Sequence, residues 1–327
     1  MSDQAEPEPS VVTRRKFLAG VGAAGATAIA GCGGGGGGST LSGLIQIAGS
    51  STVFPISQRL TELFKKKHSE VSLSVKSTGT GAGFSNFFCK GRTDINDASR
   101  PIQPSEKQLC QKNDVEPVEF QIATDALTVV TSNNNDWVDC LSFEELREIW
   151  GPKKPVPQQW SDVHSKWPNK DMHLYGASTA SGTFDFFTEK VMGEEGAHRQ
   201  DYQQTEHDNT IVTGVSGDRY AMGYFGFAFY VENKDKLTAL GIKKGDGKCI
   251  KPSFETAKTG KYPLSRPLFI YVAKSALEEE AVRKFVRYYI KKSKTETIRK
   301  IGYVPVTEKT ASQNLKKLDR VVNEVTS

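Results

Sequence analysis

Leu174-Tyr175-Gly176-Ala177-Ser178-Thr179-Ala180-Ser181-Gly182-Thr183-Phe184-Asp185-Phe186-Phe187 follows a short strand-like run that begins at Met172 and leads into an amphipathic segment ending near Met192. A strand, a hydroxyl-rich turn and a helix, in that order, aim the free amides of the first helical turn at whatever the turn encloses. That arrangement suits an anion. Gly182 lets the backbone come close, and the hydroxyls of Ser181 and Thr183 add donors. The plainer alternative is an ordinary N-cap, with Ser181 closing its own helix.

The same layout occurs twice earlier in the chain. Leu44 to Ala48 reads as a short apolar strand and ends in Gly49-Ser50-Ser51-Thr52-Val53-Phe54-Pro55. Pro55 suits the first turn of a helix, and Ile56, Leu60, Leu63 and Phe64 follow at helical spacing. Val71 to Lys76 alternates as a half-buried strand does, then passes through Ser77-Thr78-Gly79-Thr80-Gly81-Ala82-Gly83 into a helix bearing Phe84, Phe87 and Phe88. The glycines here fit neither a dinucleotide fingerprint nor a nucleotide P-loop, which needs a closing Gly-Lys-Ser/Thr. Three such turns can converge on one small oxyanion. Each helix end contributes about 0.3–1 kcal/mol, and each hydrogen bond to the charged ligand about 1.5–3 kcal/mol. Asp94-Ile95-Asn96-Asp97-Ala98-Ser99-Arg100 adds a further short strand that ends in a guanidinium, which can grip an oxyanion through two N–H groups.

Downstream, Ser142 and Glu145 form a capping box for a helix that reaches Trp150, and Gly193 to Asp208 reads as a loop. Gly223 to Tyr230 reads as a buried strand or a crossing between domains. Pro267 to Val272 is an apolar strand, and Leu277 to Ile290 a helix. Repeated alternation of strands and helices gives an α/β class with helices on both sheet faces. In such sheets ligands sit at the carboxyl ends of strands, where all three turns fall.

At 327 residues the chain is long enough for two domains, and with 37% apolar and 25% charged residues it is not a disordered one. The formal charge of +5 is spread without a basic block, which argues against nucleic acid and suits a small anion or an anionic surface. No histidine pair has metal-ligand spacing and no Gly-x-Ser-x-Gly elbow is present, so neither a metal, a cofactor nor an enzymatic activity is expected.

Thr13-Arg14-Arg15-Lys16-Phe17-Leu18 precedes an apolar run too short to span a membrane, and that run ends in Ile29-Ala30-Gly31-Cys32. It resembles a twin-arginine export signal closed by a lipobox. The resemblance implies a signal peptide over residues 1–31, cleavage before Cys32 and lipidation of its thiol. The six glycines from Gly33 to Gly38 open a tether expected over residues 32–43. Cys89, Cys110, Cys140 and Cys249 remain, an even number as export favours. Of three pairings, Cys89–Cys110 with Cys140–Cys249 is preferred, the first because it closes a short loop. The wide spacings argue against zinc.

On Gly49-Ser50-Ser51-Thr52-Val53, Gly79-Thr80-Gly81-Ala82-Gly83, Ala98-Ser99-Arg100 and Ser181-Gly182-Thr183, the chain resembles phosphate-binding proteins of the Pst uptake system, which are type II periplasmic binding proteins. Tyr262-Pro263-Leu264-Ser265-Arg266-Pro267-Leu268 resembles their lipoprotein branch. The resemblance implies two α/β lobes joined by two hinge crossings, with inorganic phosphate in the cleft. Lobe I would take residues 44–125 and about 231–327, and lobe II about 126–230. Ser51, Thr52 and the Val53 amide, Thr80 and Gly81, Arg100, and Ser181, Gly182 and Thr183 would bind the ion.

The implied partners are an ABC permease and the membrane through the lipid on Cys32, on the outer face of the cytoplasmic membrane, for a monomer. Many relatives carry an arginine where Ala177 stands, so a second cation must come from elsewhere, with Arg199 the candidate. Phosphate keeps a proton at neutral pH, and Asp97, Asp185 and Asp208 are the carboxylates considered as its acceptor. The alternatives are a binder of sulfate or molybdate, or a phosphatase.

Overall fold

Short strands alternate with helices as their patterning requires. The computed structural model describes residues 40–327 apart from Ala180 and Glu206, so the export segment, Cys32 and the glycine tract lie outside the described residues. β1 (Gly43–Gly49) buries Ile45 and Ile47 and pairs in parallel with β2 (Val71–Ser77) and with β3 (Ile95–Ala98). The helix Phe54–Lys65 carries Pro in its first turn and buries Ile56, Leu60 and Phe64, each four residues apart. β4 (Pro117–Ser132) is sixteen residues long and almost wholly buried in its second half. β5 (Cys140–Ser142) ends in Ser142, whose hydroxyl accepts from the Glu145 amide while the Glu145 carboxylate accepts from the Ser142 amide. That reciprocal cap starts the helix Phe143–Trp150.

The remaining strands are β6 (His173–Ala177), β7 (Gln203–Thr205), β8 (Ala221–Gly226), β9 (Leu237–Ala239), β10 (Gly241–Lys243), β11 (Ser265–Ala273) and β12 (Val304–Pro305). The main sheet runs β2-β1-β3-β11-β4-β8-β6-β7, with β9 and β12 also paired to β4, while β5 and β10 pair separately. β4 belongs to both halves. Its first part pairs with β11 and its second with β8 and β9, all antiparallel.

Two large apolar cores flank this shared strand. The first gathers Ile47, Phe64, Phe120, Ile270, Phe285 and Leu318; the second gathers Trp150, Trp160, Phe187, Tyr224 and Leu264. Each fully buried ring of this kind contributes about 1.5–3 kcal/mol relative to exposure. Covalent bonds join Cys89 to Cys110 and Cys140 to Cys249, the preferred pairing.

The structure departs from the sequence expectations in several places. Leu41 is buried in the first core, so the globular body begins before the end of the expected 32–43 tether. Residues 237–264 were expected in lobe I but belong with lobe II. There β9 pairs the second half of β4, and Leu240, Ile242, Ala257, Tyr262 and Leu264 enter the second core. The chain therefore returns to the first core through β11. Gly223 to Tyr230 is a strand that turns at Gly226 into the helix Phe227–Glu232. The helix expected from Leu277 starts at Glu280, after a 3₁₀ turn over Lys274–Glu278.

Candidate oxyanion site

β1 ends at Gly49, whose φ of +137° and contact with the Asp97 backbone exclude any side chain. The chain then turns through Ser51, Thr52 and Val53 into the helix at Phe54. None of these three amides donates to a backbone carbonyl among the described residues. Ser51 and Thr52 line a cavity of about 340 Å³, together with Thr80, Gly81, Ser99, Arg100 and Asp185. Val53 is fully buried in the first core, so only its backbone can serve a ligand.

Thr80 opens the helical run that follows β2, and its Oγ1 accepts from the Ser99 amide at 3.1 Å. The turns after β2 and β3 are thereby fastened together. Arg100 lies over Gly81 and donates from Nη1 and Nη2 to the two Glu106 oxygens at 2.9 and 2.8 Å. Glu106 also accepts from the Gln103 amide at the start of the helix Pro104–Lys112, which fixes the guanidinium in a planar fork. This carboxylate raises the Arg100 pKa further. Arg100 is charged at every physiological pH.

Ser181, Gly182 and Thr183 are placed differently. Ser181 Oγ accepts from the Thr183 amide at 3.2 Å, so Ser181 caps its own helix, the plainer of the two sequence readings. All three line a separate hollow with Thr52, Asp208 and Tyr303 rather than the Arg100 cavity. The contact between the walls is Gly182 on Thr52, whose Oγ1 donates to the Gly182 carbonyl at 3.3 Å. A Cβ on Gly182 would sit 2.7–2.9 Å from Thr52 atoms, backbone N and Cα among them. One turn on, Asp185 Oδ2 accepts from Ser51 Oγ at 3.0 Å and brings lobe II into the cavity.

Arg199 is not the missing cation. It is buried, donates to the carbonyls of Ile149 and Pro157 at 2.9 Å and forks onto Asp201, whose carboxyl it holds far below the usual range. Every one of these contacts ties loops of lobe II together. A second cation does line the Arg100 cavity, Arg266 on β11, which was not among the residues expected to bind the ion. Its Nη2 donates to Thr52 Oγ1 at 2.9 Å and its Nη1 to Glu189 Oε2 at 3.2 Å. Its Nε lies 3.5 Å from Asp125 Oδ2, and its guanidinium stacks 4.0 Å from the Phe186 ring centroid. Burial lowers the Arg266 pKa and raises that of Asp125, and the attraction between the two opposes both shifts. A lone arginine heading an apolar strand was the available signal, because a charge at such a position demands a partner.

Of the three candidate carboxylates, Asp185 is the one in this cavity, and burial raises its pKa against the Ser51 hydrogen bond and Arg266. Asp97 is buried behind the site and accepts from Ser57 Oγ at 2.8 Å. Burial pushes it up to about 8. Asp208 faces the other hollow, and burial pushes it up to about 6. The site can therefore fix a tetrahedral anion between two guanidiniums and several hydroxyls, with one carboxylate able to accept a proton from it.

A model of the PBP superfamily domain matches residues 23–293. Phosphate-binding protein PstS of Staphylococcus aureus is 40% identical over 286 residues, covering 88% of this chain and 85% of that protein. The chain belongs to the PstS family of the PBP superfamily. Within that superfamily, Protein SphX of Synechocystis is 43% identical over 290 residues, 88% of this chain and 85% of SphX. A solved structure of a possible phosphate binding protein from Planctomyces limnophilus superposes with a TM-score of 0.81 at 40% identity, over 86% of this chain and 99% of that one. An ABC-type phosphate transport receptor from Vibrio cholerae gives 0.63 at 25% identity, over 80% and 99%. PstS membership fits the two lobes, the shared strand and the cavity between them.

Proposed function

We propose that the protein captures inorganic phosphate outside the cytoplasm and passes it, unchanged, to the permease of an ABC transporter. The observation that carries this reading is the convergence of Arg100 and Arg266 with Ser51, Thr52 and Thr80 on one cavity, in a chain of the PstS family. In this reading the free amides of Ser51 to Val53 and of Gly81 complete the cradle. Gly182 seats lobe II on Thr52. Asp185 accepts the proton that phosphate retains and sulfate lacks, which disfavours sulfate and molybdate by leaving two unprotonated oxygens face to face.

Calorimetry on residues 40–327, which contain both cores, tests this reading. Phosphate should bind one to one at micromolar concentration or tighter, and sulfate at least a hundredfold more weakly. Equal affinity for the two anions would remove the selectivity argument, and hydrolysis of a phosphomonoester would remove the non-enzymatic one.

The reading extends to the anchor. Cleavage before Cys32 and lipidation of its thiol would hold a monomer at the outer face of the cytoplasmic membrane, with the glycine tract as its tether. Cys32→Ser should release the protein from the membrane fraction; retention there would reject the anchor.

A further inference from the structure

We propose that Tyr303 is a positioning residue of the oxyanion site: by holding the Thr52 carbonyl it aims the Val53 amide at the bound anion. The identity of the ion rests on the phosphate reading above; the geometry rests on one bond. Tyr303 Oη donates to the Thr52 carbonyl at 2.7 Å, across 251 positions of the chain. No backbone amide among the described residues reaches that carbonyl. The Thr52–Val53 peptide is trans. In a planar trans peptide the C=O and the N–H point in opposite directions, so whatever fixes one end fixes the other. The Val53 side chain is lost to the first core, and its N–H donates to no backbone carbonyl among the described residues. Thr52 lines both the Arg100 cavity and the hollow with Asp208, and of these two Tyr303 lines only the hollow. The carbonyl is therefore drawn to the hollow and the N–H is turned away from it, towards the Arg100 cavity.

Tyr303 is itself firmly placed. Gly302, at φ +114°, ends the helix Glu296–Ile301, and Tyr303 leads straight into β12, whose Val304 and Pro305 stand opposite Thr124 and Ala123 of β4. Burial and the Asp125 charge raise its pKa, so the hydroxyl keeps the proton it donates. The Thr52 side chain is held independently, since Oγ1 accepts from Arg266 and donates to the Gly182 carbonyl. What then remains free in this turn is rotation of the 52–53 peptide plane. Without the tyrosine hydroxyl the plane can turn its oxygen to the ion in place of its N–H, which exchanges a donor for a repelling acceptor.

Calorimetry and amide NMR of the ¹⁵N-labelled wild-type protein and of Tyr303→Phe, with sodium phosphate and sodium sulfate as separate probes, test this. In the wild type the Val53 amide proton should move downfield as phosphate saturates the site. Tyr303→Phe should keep the ligand-free melting temperature and the phosphate response of the Gly81 amide, lose the Val53 response, and bind phosphate about fivefold more weakly, as for one lost hydrogen bond. Unchanged affinity, or weaker binding with the Val53 response intact, overturns the inference. Replacing Val53 by its α-hydroxy analogue removes the N–H itself and should weaken phosphate at least as much; wild-type affinity there overturns the inference whatever Tyr303→Phe does. If sulfate alone binds and shows these effects, the positioning role stands and the phosphate reading falls. If neither anion binds the wild type, both fall.

Discussion

Arg266 Nη2 donates to Thr52 Oγ1 at 2.9 Å, joining residues 214 positions apart in the chain. This bond brings the second cation to the turn after β1, and through Thr52 to Gly182 on the opposite lobe. Arg266→Ala should weaken phosphate binding by well over tenfold. It also strands Asp125, and breaking a buried pair costs about 3–5 kcal/mol. Thermal unfolding and calorimetry read the two losses separately. An unchanged affinity in a folded variant would remove Arg266 from the site.

Arg100 forks onto Glu106, which is itself buried, so Arg100→Ala also strands that carboxylate and should lower stability. The same variant should lower phosphate affinity by more than tenfold, measured by calorimetry at fixed ionic strength. Wild-type affinity in this variant would show that the fork serves the loop alone.

Gly182→Ala tests the contact between the lobes. The added methyl meets the Thr52 backbone, which cannot rotate aside as a side chain would. Phosphate affinity should fall at least tenfold with little change in melting temperature, because Gly182 is not part of either core. Unchanged binding would mean that the lobes need not meet here.

Asp97 gives a pH dependence of definite sign. Its folded pKa is raised from 3.8 to about 8 by burial, so between these values the folded state binds more protons than the unfolded state. Stability from this group is full below pH 4 and is lost as pH rises towards 8. Its Oδ2 has no hydrogen-bond partner among the described residues, as suits a carboxyl kept neutral. Asp97→Asn should flatten the decline of stability between pH 5 and 8 and leave the variant the more stable protein at pH 8. A wild-type slope in the variant would contradict the assignment.

The disulfides should rank by loop length. In the chain-entropy view a bridge across 21 residues contributes about 3 kcal/mol, and one across 109 nearer 5 kcal/mol. Replacing Cys140 and Cys249 by Ser should therefore lower the denaturation midpoint more than replacing Cys89 and Cys110. The opposite order, in urea titrations of the two variants, would point to strain or residual structure in the unfolded chain.

The local elements were legible because periodicity, caps and turn residues are local. The Ser142–Glu145 box and the apolar face of Phe54–Lys65 both read directly from spacing. The turns at Ser51 and Thr80, with Arg100, were found for the same reason, since each ends its own strand. Arg266 and Arg199 show where that reasoning stops. Arg266 heads an apolar strand and so needs a partner, but only the fold decides that it meets Thr52 while Arg199 spends its donors on the Ile149 and Pro157 carbonyls. The return from lobe II was misjudged for a similar reason. Nothing in residues 237–264 marks which half of β4 they join, because β9 is three residues long and its pairing is a long-range choice.

The two passages between the lobes are strands of one ladder. Ala126 stands opposite Ser265 and Asp125 opposite Arg266. Such a joint behaves as a leaf spring rather than a door hinge, since swinging the lobes must twist a hydrogen-bonded ribbon. Arg266, which lines the cavity, is also a rung of that ribbon. In the phosphate reading proposed above, an ion held by Arg266 would therefore bear on the joint itself, at the guanidinium that also faces Asp125.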